Sequence, residues 1–166
     1  MTVPVPISEV LAISTEHTYA AFPAAARSIL GTAIVAYRVG LGHVPAGGMV
    51  RIRRQPVGAA WWSAPINVVA PAPNGFGWGT TGIAVEQTGG RIWLGLRKYH
   101  RTSVTTTDQD SAHVIWSDDD GLTWSSPVAL PVATVGDTFG AGMLWLPNGT
   151  LLATVYHGAT IPRDVR

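Results

Sequence analysis

Apolar residues in this chain come in short, nearly unbroken runs: Ala33-Ile34-Val35-Ala36-Tyr37, Ile92-Trp93-Leu94-Gly95-Leu96, Met143-Leu144-Trp145-Leu146 and Leu151-Leu152-Ala153. A sheet wet on one side would alternate apolar with polar, so runs of this kind read as strands covered on both faces. Between them stand turn signals: Gly31, Gly89-Gly90 and Asn148-Gly149. Glycine supplies the positive φ that the primed turns of tight hairpins require, and Asn-Gly is the strongest form of that signal. The turn glycines 31, 90 and 149 are separated by 59 residues in both intervals. A fixed period over three units marks an array in which each unit buries its apolar face on the next. On this pattern Ile34, Ile92 and Leu151 belong to second strands in equivalent, buried settings.

Within a unit the order is an apolar segment, a turn, a second apolar segment, a loop of variable length and a third segment. The first two units add a fourth segment, WSAPINVV from Trp62 and WSSPVALP from Trp124, each with a proline three residues after the tryptophan. Proline cannot donate to a ladder, which makes these edge strands starting at the tryptophans. Four antiparallel strands, inner ones covered on both faces and the last at an edge, describe a propeller blade. The competing all-β reading, a sandwich of about 150 residues, leaves the two equal intervals without a cause.

Composition narrows the partners. Charged residues are 13% and the net charge is +1, so there is no basic stripe for nucleic acid, and Arg51, Arg53 and Arg54 read as a solvated strand face. Cysteine is absent, which removes disulfides and thiolate metal sites. Neither a signal peptide nor a bilayer-spanning apolar run is visible. No cofactor or metal is expected, since Asp118-Asp119-Asp120-Gly121 lacks the glutamate of a calcium loop at the twelfth position.

The octapeptide Ser117-Asp118-Asp119-Asp120-Gly121-Leu122-Thr123-Trp124 resembles S-x-D-x-G-x-T-W, the Asp box of BNR-repeat, sialidase-like β-propellers of the neuraminidase superfamily. It falls between third and fourth strands, where that family places it. Gln55 to Trp62 holds a worn copy that keeps the tryptophan and the following Ser-x-Pro. The resemblance implies an all-β, sialidase-like propeller of about two and a half four-stranded blades out of six. The blades would span about 15–72, 75–134 and, as a half, 136–166. It implies the N-terminal part of a longer protein, or a half-propeller completed by the remainder of the propeller or by a second copy. The box residues Ser117, Asp119, Gly121, Thr123 and Trp124 take structural roles.

In such a propeller the ligand site lies at one end of the central channel, beside the loops between second and third strands. Seven residues after each turn glycine the chain carries Arg38, Arg97 and Tyr156, and a histidine follows in each unit at His43, His100 and His157. Arginine forks grip carboxylates, so these six are the candidate substrate-binding residues for an acidic glycan. The catalytic residues stay unknown. The family's R-I-P motif meets Ala21-Phe22-Pro23, which puts alanine where the motif has arginine, and residues 40–48 hold no aspartate as general acid. The resemblance places the tyrosine nucleophile and its glutamate in later blades. Two readings stay open: part of an exo-sialidase-like glycoside hydrolase, or a non-catalytic glycan-binding or structural propeller module such as a phage tail or surface assembly uses.

Overall fold

The computed structural model describes residues 19–42, 47–71, 74–101, 107–131 and 137–157, and all regular structure among them is strand. Ten strands follow one another: β1 Tyr19–Arg27, β2 Ala33–Gly40, β3 Met49–Gln55, β4 Ile66–Val69, β5 Phe76–Val85, β6 Ile92–Arg101, β7 Thr107–Ser117, β8 Val128–Ala129, β9 Asp137–Trp145 and β10 Leu151–His157. They form two four-stranded sheets, β1-β2-β3-β4 and β5-β6-β7-β8, and a pair, β9-β10, antiparallel throughout. Within each sheet every strand pairs with the next in sequence, which is the connectivity of propeller blades.

The continuous apolar runs are explained by what lies on either side of each sheet. Ile34, Ala36, Val50 and Ile52 of the first sheet pack with Trp78, Ile83, Val85, Ile92, Leu94, Leu96 and Ile115 of the second. Each fully buried aliphatic side chain contributes about 1.5–3 kcal/mol there. The other face of the second sheet, through Trp93, Ala112 and Val114, meets Met143 and Ala153 of the third. The expected equivalence of Ile34, Ile92 and Leu151 is not kept: Ile34 and Ile92 are both fully buried but meet in one core from opposite sheets, because Ile34 sits one residue out of the period, and Leu151 is half-buried.

The three turn glycines adopt one conformation, φ 83° at Gly31, 75° at Gly90 and 82° at Gly149. They are not primed two-residue turns, because Leu30, Gly89 and Asn148 are not left-handed. Ser28 N–H donates to Thr32 O at 2.9 Å and Leu146 N–H to Thr150 O at 2.8 Å, closing three-residue loops that end on the glycine. The middle turn, closed from Glu86 to Arg91, is one residue longer. A single left-handed glycine after an ordinary turn reverses the chain with the twist a hairpin needs.

The fourth strands begin after Pro65 and Pro127 and not at the tryptophans, so proline takes the last position before the ladder. The serines of the shared W-S-x-P do equivalent work. Ser63 Oγ accepts from Arg54 N–H and Ser125 Oγ from Trp116 N–H, both at 3.0 Å, tying each connection to the strand before it.

Candidate functional site

The Ser117–Trp124 loop is built around one carboxylate. Asp119 accepts from Ser117 Oγ at 2.8 Å, Leu122 N–H at 3.1 Å, Thr123 N–H at 2.8 Å and Thr123 Oγ1 at 2.5 Å. Gly121, with φ 84°, donates its N–H to Ser117 Oγ, and its carbonyl accepts from the Trp124 indole. Partial burial would raise the Asp119 pKa, but the bonds from Thr123, Ser117 and Leu122 outweigh it and bring it down to about 2. All of this is local closure: four donors from the loop itself, three on Oδ1 and one on Oδ2, commit Asp119 to holding the turn.

Asp120 turns instead to the neighbouring sheet. Its carboxylate pairs with Arg54 Nη2 at 2.5 Å and accepts from Thr32 Oγ1 at 2.7 Å, while its carbonyl accepts from Arg54 Nε at 2.6 Å. Burial works against ionisation, yet the bonds from Ser28, Thr32 and Arg54 hold the Asp120 pKa below its ordinary value. Arg54 is therefore a buried clasp and no part of a solvated face. Strand alternation explains the difference: Arg51 and Arg53 share one face, bonding Asn67 and Ser63, and Arg54 points the other way.

At the opposite end of the sheets, β2 and β6 carry the candidate arginines. Arg38 is fully buried, donating from Nε to Tyr99 Oη at 2.6 Å and from Nη1 to Gly42 O at 2.5 Å. Its guanidinium carbon lies 5.7 Å from the Tyr99 ring centroid, and that of half-buried Arg97 lies 6.0 Å from the same ring. Two arginines from adjacent sheets thus converge on one tyrosine. Room for this comes from glycine: a Cβ at Gly48 would meet Arg38 Nε and Tyr99 Oη at 2.6 Å, and one at Gly77 would meet Tyr99 Oη at 2.7 Å.

His100 is not part of that group. Residues 97 and 99 share one face of β6 and residues 98 and 100 the other, where His100 lies 4.8 Å from Phe76, ring to ring. His43 lies outside the described residues. Tyr156 and His157 occupy β10 opposite Thr138 and Asp137, and their side chains also lie outside the described set. Ala21 pairs with Arg38 across β1 and β2. Phe22 follows with φ 54°, and its carbonyl accepts from the Thr80 hydroxyl of the second sheet. A non-glycine residue held left-handed inside a strand is strained, and such strain gathers at functional sites.

Tyr99 was the residue that sequence reasoning missed. The signal for it was Gly77 directly opposite in the β5–β6 register, which becomes legible only once the strands are paired.

Among solved structures the chain is similar to a Hadza microbial sialidase, Hz136, at 19% identity and TM-score 0.70, covering 82% of this chain and 32% of that one. It is also similar to a protein of unknown function from Dyadobacter fermentans DSM 18053, at 21% identity and TM-score 0.59, covering 89% of this chain and 47% of that one. These likenesses and the sheet order define the class: an all-β, sialidase-like fold, here as a partial β-propeller. The chain spans about a third of the sialidase and about half of the Dyadobacter protein. No protein-family model and no curated protein matches it.

Proposed function

We propose that this chain is part of a sialidase-like, carbohydrate-active propeller that recognises an acidic glycan at the β2 and β6 end of its sheets. The observation that carries the reading is the convergence of Arg38 and Arg97 on Tyr99 between adjacent sheets. Arg38 is spent on Tyr99 and Gly42, so its role is to brace the tyrosine; half-buried Arg97 is the group that meets a carboxylate. In this reading Ser117–Trp124 is an Asp box, the three sheets are blades spanning about 15–72, 75–134 and 136–166, and His43, Tyr156 and His157 are further candidate ligand contacts by their place in the sequence repeat.

A second reading, a non-catalytic glycan-binding or structural module, is favoured by one feature. The strand position opposite Arg38 is Ala21, which gives a substrate carboxylate no guanidinium. The two readings share acidic-sugar binding and differ in turnover.

Calorimetric titration of N-acetylneuraminic acid and of galactose into the wild type and Arg97→Ala tests the common part. The variant should weaken the acidic sugar by about 1.5–3 kcal/mol, the range for hydrogen bonds to charged groups, and the neutral sugar less. Equal losses would mean that Arg97 only holds structure, and carboxylate recognition would be abandoned. No release of a fluorogenic aglycone from a sialoside is expected from these 166 residues, and turnover would remove the non-catalytic reading.

A further inference from the structure

We infer that the face of β6 turned away from Arg97 carries a second oxyanion subsite, formed by Lys98 and His100 over the rings of Phe76 and Trp78, so that the glycan recognised bears more than one acidic residue. The inference rests on the acidic-glycan reading and adds the substrate class to it. Alternation sets Lys98 and His100 opposite in direction to Arg97 and Tyr99. Register then brings their neighbours: Phe76 faces His100, Trp78 faces Lys98, and His113 faces Leu96 from the far strand.

The Lys98 ammonium lies 4.6 Å from the Phe76 ring centroid and 5.7 Å from that of Trp78. His100 packs on Phe76, and the His113 ring stands edge-on to Trp78 at 5.1 Å. Ring faces attract a cation but accept none of its three N–H bonds in the way an oxyanion does. Among the described residues no carboxylate pairs with Lys98. Burial pushes the His113 pKa down, the Ser111 carbonyl opposes it, and the nearby Lys98 ammonium lowers it further, which favours the neutral form of His113 and leaves Lys98 as the cation of this face among the described residues.

Phe76, Lys98 and His100 are half-buried, which leaves their outer edges open, while Trp78 is buried beneath. Lys98 is also the single lysine among eleven Lys and Arg residues. A compact ammonium placed over two aromatic rings supplies a point charge beside a surface on which a sugar ring stacks. Arg97 and Lys98 are consecutive but point to opposite faces. A sugar with one carboxylate reaches one of them, and an oligosaccharide with repeated acidic groups reaches both.

The test is titration of an oligomeric uronide, of monomeric glucuronate and of inorganic sulfate into the wild type, Lys98→Met, Lys98→Arg, His100→Gln and Arg97→Ala. The indole N–H resonance of Trp78, assigned with Trp78→Phe, is followed by NMR. Lys98→Met should weaken the oligomer about tenfold or more, and Lys98→Arg should largely retain it. Sulfate should shift the Trp78 resonance in the wild type and in Arg97→Ala but not in Lys98→Met. Should Lys98→Met misfold, His100→Gln takes its place, with a smaller loss of the same sign. If Arg97→Ala loses the oligomer while Lys98→Met and His100→Gln bind it as the wild type does, the second subsite is wrong and the acidic-glycan reading survives. If no variant distinguishes acidic from neutral ligands, the reading beneath it falls as well.

Discussion

Asp119 is held well below the ordinary carboxylate pKa, and the cause is local. Four donors from Ser117, Leu122 and Thr123 surround a carboxylate that the loop has drawn partly out of water. The folded pKa, about 2, lies below the ordinary value of 3.8, so the ionised form contributes stability that is fully present above pH 4 and lost as pH falls toward 2. After allowance for solvent screening, the contribution is about 1–2 kcal/mol at neutral pH. Asp119→Asn should therefore lower the thermal midpoint at pH 7, and the gap to the wild type should shrink steadily between pH 4 and pH 2. A gap independent of pH would assign the loss to loop geometry and not to the charge.

At the scale of strands and sheets, the sequence pattern was a good guide to what repeats and a poor one to what joins. The apolar runs and turn glycines placed the strands because both faces of a blade are buried and every hairpin needs one left-handed residue. The Trp-led fourth segments were displaced by four residues, since Trp62 and Trp124 belong to the approach and the ladder starts beyond the proline. The candidate site was legible only as positions: Arg38 and Arg97 were found by periodicity, but Tyr99, which joins them, has no equivalent in the other units. Arg54 was misread for the same reason, because its partner Asp120 is 66 residues away and the pairing exists only between packed sheets.

That pair yields a test at its own scale. Side-chain exposures of 10% and 15% place Arg54 and Asp120 well inside the contact. Asp120→Ala should cost about 3 kcal/mol in urea unfolding, because it leaves a buried guanidinium without its counter-charge. Removing both groups, Arg54→Met with Asp120→Ala, should cost less than the two single changes added together. Simple additivity would show that the clasp contributes no coupling between the sheets.

The whole molecule is a stack in which each sheet covers the one before it, and the third sheet is where the covering stops among the described residues. Ile34, Trp93 and Leu152 follow the 59-residue period, and the first two pack on the sheet that follows their own. Ile34 has no exposed surface against the second sheet, and Trp93 lies parallel to Trp145 at 6.4 Å against the third. Leu152 is 52% exposed, beside Leu144 at 57% and Val155 at 40%. Among the described residues no strand pairs with the outer edge of β10, whereas β3 and β7 take that place in the first two sheets. An apolar face next to an open edge favours association, by sheet pairing or face-to-face packing. The 166-residue chain should accordingly self-associate in sedimentation velocity at micromolar concentration. Leu144→Glu combined with Leu152→Glu should shift it toward monomer without altering its circular dichroism, because neither side chain supports the packing between the first and second sheets. A wild-type chain that stays monomeric and unfolds cooperatively at every concentration would mean that this face needs no neighbour, and the idea that the repeat demands a further unit there would have to be given up.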